Sequence, residues 1–218
     1  MMKRKLTELV FILDKSGSMA GLEADTIGGY NSMLVKQQKA EGEAFVTTVL
    51  FNHLCELLHD RINVRGISPI TEEDYEVGGT TALLDAIGFT IQKMINVQKR
   101  TSEEERAEKV LFVITTDGAE NASREYTTDK IKKMVQHQKE KYGWEFMFLG
   151  ANIDAISTAA QFGIDEDFAV EYPADHKGTQ LNYEAVNEVV MNLRIGKKID
   201  RGWKKGIERD YKQRSKKE

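Results

Sequence analysis

A chain of 218 residues with 40% hydrophobic and 30% charged side chains is long enough for one well-cored domain of ordinary soluble composition. Two prolines exclude a collagen-like or proline-rich chain, and a single cysteine, Cys55, excludes an internal disulfide framework. The net charge of −4 is uneven: residues 194–218 hold eleven Lys/Arg against four Asp/Glu, so that segment carries +7, and the −11 left on the body argues against nucleic acid as its main partner.

The opening Met1-Met2-Lys3-Arg4-Lys5 has the charge of a signal-peptide start. The apolar run behind it, residues 6–13, is short, interrupted by Glu8 and followed at once by Asp14, with no small-residue cleavage site. No later stretch reaches membrane-spanning length, so the expected location is the cytoplasm. Residues 6–13 instead predict a buried strand. Helical spacing follows over 22–40, with Leu22, Ile27, Tyr30, Met33 and Leu34 as core contacts. Glu43–Phe51 reads as strand, and 55–58 with 62–64 as a shorter hairpin-related strand carrying Cys55 as a half-buried core thiol. Residues 66–79 read mostly as loop and 80–98 as helix, with Leu83, Leu84, Ile87, Ile91 and Ile95 on one face.

Ser102 and Glu105 fit a capping box for a short acidic helical turn. Lys109–Thr116 is the strongest strand signal in the chain. Helix at 128–141, strand at 144–149, helix at 155–162 stopped by Gly163, strand at 168–172 and helix at 183–194 complete the body. Gly150-Ala151-Asn152 reads as a strand-to-helix turn, with Asn152 or Asp154 as helix cap. There is no internal repeat. The alternation of strands and helices predicts an α/β fold: a Rossmann-like three-layer sandwich, its central sheet mainly parallel with one antiparallel edge strand, helices on both faces. Residues 1–194 are expected to form this domain, and residues 195–218 a basic C-terminal helix or tail.

The chemistry sits just past the first strand, at Asp14-Lys15-Ser16-Gly17-Ser18. Gly17 permits a tight turn, and the alternation of Asp14, Ser16 and Ser18 aims three oxygens to one side, at a strand end where open α/β sheets bind ligands. Gly78-Gly79-Thr80 offers another hydroxyl on a glycine-bearing loop, and Asp117 ends the strong strand with a second carboxylate. Taken singly, each is an ordinary turn or cap residue. Together they form a hard-oxygen set, without His or Cys, that suits Mg²⁺. The four histidines, His53, His59, His137 and His176, are scattered and receive no role.

On these residues the chain resembles the von Willebrand factor type A domains, the family that includes integrin I domains, over roughly residues 6–172. The resemblance implies a metal-ion-dependent adhesion site (MIDAS) of Asp14, Ser16, Ser18, Thr80 and Asp117. By it, Ser16 and Ser18 bind the ion directly, Thr80 binds directly or through water, and Asp14 and Asp117 act mainly through bound waters. Thr81 is the rival to Thr80. The implied ion is Mg²⁺, with Mn²⁺ or Ca²⁺ as substitutes. The implied function is a non-enzymatic binding module whose protein ligand supplies a Glu or Asp carboxylate to the metal. Intracellular relatives often work beside AAA+ ATPases, which makes a regulatory subunit of such an ATPase one alternative. The other is a Mg²⁺-dependent phosphatase or phosphotransferase with Asp14 as nucleophile, although Ser16 stands where that chemistry needs a second Asp, and no Walker A loop is present.

In the tail, Ile195, Ile199, Trp203, Ile207 and Tyr211 recur every four residues, as on a helix face, with Gly202 and Gly206 each weakening that helix by roughly 1 kcal/mol. A helix docked on the acidic body is expected; an arm for an external acidic surface is the alternative.

Overall fold

The computed structural model describes residues 6–214; the basic opening run at 1–5 and residues 215–218 of the basic tail lie outside the described residues. The strands are β1 (Leu6–Asp14), β2 (Glu43–Phe51), β3 (Cys55–Asn63), β4 (Lys109–Thr116), β5 (Glu145–Ala151) and β6 (Ala169–Tyr172). The helices are α1 (Glu23–Lys39), α2 (Leu83–Arg100), α3 (Thr128–Tyr142), α4 (Ala155–Gln161), α5 (His176–Arg194) and α6 (Lys205–Arg214). One six-stranded sheet runs in the order β3-β2-β1-β4-β5-β6. Only the β2–β3 pair is antiparallel; every other neighbour is parallel. This is the three-layer α/β fold with one antiparallel edge strand that the alternation of elements predicts.

β1 is buried at all nine positions because helices cover both of its faces. Its Leu9, Phe11 and Leu13 join Tyr30 and Met33 of α1 and Val186 and Val190 of α5 in one core layer. Val10 and Ile12 point the other way, into a layer with Leu83, Ile87 and Ile91 of α2 and Ile131 of α3. The chain leaves β1 toward β2 and reaches β4 on the opposite side, so the C-terminal ends of β1 and β4 lie together where the strand order reverses. Leu13 is paired with Thr115, which sets Asp14 beside Thr116.

Several boundaries differ from the sequence expectation. β3 is one nine-residue strand rather than two fragments, with irregular register opposite Val46 to Val49. Cys55 is exposed rather than half-buried, because this edge strand carries an open face at its first residues. Residues 103–105 form only a turn, closed by the Glu105 and Arg106 amides donating to the Ser102 carbonyl. α5 begins at His176, seven residues earlier than periodicity indicates, where Asp175 caps it by accepting from the Gly178 amide at 2.8 Å. Asp154, not Asn152, caps α4, accepting from the Ser157 amide at 2.9 Å.

The apolar stripe of the tail is split between elements. The chain turns at Gly196 (φ +82°), leaving Ile195 exposed, and Asp200 caps a 3₁₀ turn at Arg201–Lys204 that leads into α6. α6 then lies against β6 and α5. Ile207 is buried, the Trp203 indole N–H donates to the Asp167 carbonyl at 2.9 Å, and Tyr211 donates to Glu171 at 2.7 Å. Ion pairs Lys177–Asp210 and Arg214–Asp175 close the contact. No helix among the described residues is long and apolar enough to cross a membrane.

Candidate metal centre

Asp14 ends β1 almost completely buried, and both of its carboxylate oxygens are engaged. Oδ1 accepts the Ser16 amide at 2.7 Å, which bends the chain into the turn. Oδ2 accepts the Thr116 hydroxyl at 2.5 Å, which ties the ends of β1 and β4 across the sheet. The Tyr75 hydroxyl donates to the Asp14 carbonyl from the opposite side. Lys15 turns its ammonium away from the turn, to Glu56 of β3 at 2.9 Å.

Ser16 is buried and Ser18 exposed, with their hydroxyl oxygens 3.1 Å apart. Gly118 closes the other side. A methyl group on its Cα would stand 2.8 Å from Ser18 Oγ, 3.0 Å from Thr81 Oγ1 and 3.7 Å from Ser16 Oγ. Three hydroxyls therefore converge on the space a side chain at 118 would fill, which is why glycine follows Asp117. The threonine in that cluster is Thr81, which is buried; Thr80 has an exposed side chain. The loop sets the two threonines apart. Gly79 adopts φ +79°, and its carbonyl accepts the Gly17 amide at 3.0 Å, so the next residue faces out and the one after it faces in.

Residues that the sequence reading passed over hold this loop. Asn52, at the end of β2, donates its side-chain amide to the Gly78 carbonyl at 2.9 Å, and its own carbonyl accepts the Ala82 amide at 2.8 Å. Asn121 brackets Thr81, its Oδ1 accepting the Thr81 amide at 2.9 Å while its backbone N–H donates to the Thr81 carbonyl at 3.0 Å. Glu120 accepts from the amides of Leu84, Ala122 and Ser123, and Asp85 from those of Arg124, Glu125 and Tyr126. The start of α2 and the loop after β4 are thus laced together by carboxylate–amide bonds, each strong because the acceptor is charged. The run Glu120-Asn121-Ala122-Ser123 gives no periodic signal; only the fold brings its partners within reach.

Asp117 differs from Asp14. Both of its carboxylate oxygens are buried and lack a hydrogen-bond partner. Burial raises its carboxyl above the ordinary carboxylate range, offset in part by the Ser18 hydroxyl nearby. Burial likewise raises Asp14, against the bonds from Thr116 and Ser16, and the charge of Asp117 adds to the rise. Two buried carboxylates that disfavour each other's charge, one with free lone pairs, fit a divalent cation as the missing positive charge. Among the described residues no group of three or more His, Cys, Asp or Glu side chains could hold a metal, so a bound ion here would rely on hydroxyls as well as the two carboxylates.

No protein-family model and no curated protein sequence matches the chain. Solved structures do. Proximal thread matrix protein 1 from the mussel byssus, in a form with a zinc occupied MIDAS motif, is 14% identical with a TM-score of 0.56, the match covering 86% of this chain and 46% of that one. The ArnB paralog VWA2 from Sulfolobus acidocaldarius is 15% identical with a TM-score of 0.53, covering 87% of this chain and 45% of that one. Manganese-loaded Plasmodium vivax TRAP protein is 15% identical with a TM-score of 0.50, covering 83% and 73%. The chain spans about half the length of the first two. The shared property is the fold, that of von Willebrand factor type A domains.

Proposed function

We propose that the chain is a non-enzymatic interaction module that holds a divalent cation, Mg²⁺ in the first instance, between Asp14, Ser16, Ser18, Thr81 and Asp117, and through it binds an acidic side chain of a protein partner. The observation that carries this reading is Asp117: a buried carboxylate with both oxygens unpartnered, beside three converging hydroxyls. Leaving such a group unpaired is costly, and a cation removes the cost. Two neighbours, one with a zinc occupied MIDAS motif and one loaded with manganese, support the metal, and the exposure of Ser18 leaves a side open for a ligand.

When bound, the cation supplies a charge that two carboxylates only formally neutralise, leaving it attractive to one more anionic oxygen. The protein's own groups do the positioning. Thr116 and the Ser16 amide fix Asp14, Asn121 fixes Thr81, and the glycine at 118 keeps the cluster open. Because both Asp14 oxygens are held, its role is to brace the turn rather than to attack a phosphoryl group, which favours binding over phosphotransfer. Around the site, Asp25 pairs with His176, Glu23 accepts the Gly21 amide, and Glu120 is turned onto backbone amides. A partner offering one carboxylate from an otherwise neutral or basic surface suits this setting.

Thermal unfolding during Mg²⁺ titration tests the metal. The wild type should gain about 2.7 kcal/mol at a hundredfold excess over Kd. Asp117→Asn and Thr81→Val should lose most of that gain, and Thr80→Val should keep it. Equal stabilisation of wild type and Asp117→Asn would overturn the proposal.

A further inference from the structure

Below the strand ends, on the α5 side of the sheet, lies a small cavity in which the centre of a water molecule has about 10 Å³ of room, space for one water. Its apolar wall comes from β1, β4 and β5 and from Val186 of α5. Its polar wall comes from Thr26 of α1, Thr115 of β4, Tyr172 of β6, and Thr179, Asn182 and Tyr183 of α5. All six polar residues are more than nine-tenths buried. On α5, residues 179, 182 and 183 share one helical face. Their polar atoms there, Thr179 Oγ1, both amide atoms of Asn182 and the Tyr183 hydroxyl, have no hydrogen-bond partner in the protein.

We infer that this cavity is a specific binding site for one ordered water, which bridges α5 to the sheet by satisfying Thr179, Asn182 and Tyr183. Cavities that stay dry are apolar; this one is not. Its lining mixes donors with acceptors, the Asn182 amide nitrogen and the hydroxyls with the Asn182 oxygen, which suits a ligand that itself donates two bonds and accepts two. No carboxylate lines it, so a bare cation has nothing to compensate its lost hydration. The volume excludes anything larger than water. In effect, the middle of α5 is seated through a water on the same side of the sheet where Tyr75 touches the Asp14 carbonyl.

A high-resolution crystal structure and oxygen-17 magnetic relaxation dispersion test this together. The crystal should show one peak within hydrogen-bonding reach of Thr179 Oγ1, the Asn182 amide and the Tyr183 hydroxyl. The dispersion amplitude should fall by the equivalent of one long-lived water in Asn182→Leu, which removes both amide atoms at similar volume. An empty cavity with Asn182 and Tyr183 bonded directly to one another would overturn the inference. So would a peak that rubidium replaces with an anomalous signal, or an amplitude unchanged in folded Asn182→Leu. Should that variant fail to fold, the wild-type crystal decides alone.

Discussion

The face of the sheet beneath α2, α3 and α4 and the face beneath α1 and α5 are closed by different chemistry. On the first, Phe112 stacks on Phe146 (ring centroids 4.8 Å apart) and Trp144 (5.6 Å), among Val10, Ile12, Ile114 and Phe148, with the few buried polar groups, such as Glu8 paired with Arg61 and Thr47, set toward the β2–β3 side. On the second, four buried tyrosines, Tyr30, Tyr75, Tyr172 and Tyr183, share the core with Gln37, Asn182, Asn187 and Arg194. Dispersion and hydrophobic burial act without direction, so the first face fixes the scaffold and little else. Hydrogen bonds specify which groups meet, so the second face dictates where α1 and α5 sit, and its Tyr75 reaches the backbone of Asp14. The candidate metal centre stands at the end of both faces and is tied to both, through Tyr75 on the polar side and through Asn121 and Glu120 at the start of α2 on the other.

The sharpest way to break this contrast is to remove a ring from the apolar face. Phe112→Ala deletes a fully buried side chain whose neighbours cannot collapse without moving β5, and should cost about 3–5 kcal/mol in urea unfolding. A loss below about 1 kcal/mol would mean that this face is loosely packed and that the contrast is false. The polar face has its own anchor. Arg194 is buried and donates to the Gln37 carbonyl at 2.6 Å, the Gln37 side-chain oxygen at 2.7 Å and the Gly42 carbonyl at 2.7 Å, just where α1 ends. It therefore closes the α1 C-terminus from α5. Arg194→Ala strands those acceptors and should cost about 2–3 kcal/mol, less than the ring because water can reach part of the gap.

Arg194 also marks where the sequence misleads. In a count of charges it opens the basic tail; in the fold it is a core residue whose partners lie some 150 positions earlier, and nothing local announces that. The strands were legible wherever both faces are covered, as in Lys109–Thr116, because burial on two sides writes itself as an apolar run, unbroken there from Val110 to Ile114. The first two turns of α5 were not, since His176 to Gln180 are polar and the helix there rests on the Asp175 cap and on tertiary contact. Of the candidate site, Asp14, Ser16, Ser18 and Asp117 could be read from spacing and strand ends. Which of two adjacent threonines turns inward could not, because that is set by the turn at Gly79 and by Asn121 from a distant loop.

The smallest effect probes the outer rim of the polar face. The Tyr30 and Thr48 hydroxyls share a hydrogen bond of 2.6 Å, and Thr48 in turn meets His59 Nδ1 at 2.9 Å, so a buried chain of polar groups runs from α1 through β2 to the edge strand. Burial lowers the His59 pKa from its ordinary 6.5, against smaller opposing effects of Asp74 and the Ser68 backbone. A histidine whose folded pKa is depressed binds its proton more readily in the unfolded chain. Its contribution to stability is therefore complete above pH 6.5 and is lost as pH falls below that value toward the folded pKa. His176 has the opposite sign, being raised by its bond to Asp25, but it is exposed and its effect is screened. Comparing wild type with His59→Gln isolates the buried group: the melting temperatures should run parallel above pH 6.5 and converge below it, the wild type falling more steeply. Parallel curves across the whole range would mean that the chain from Tyr30 ends at Thr48 and that the edge strand lies outside the hydrogen-bonded face.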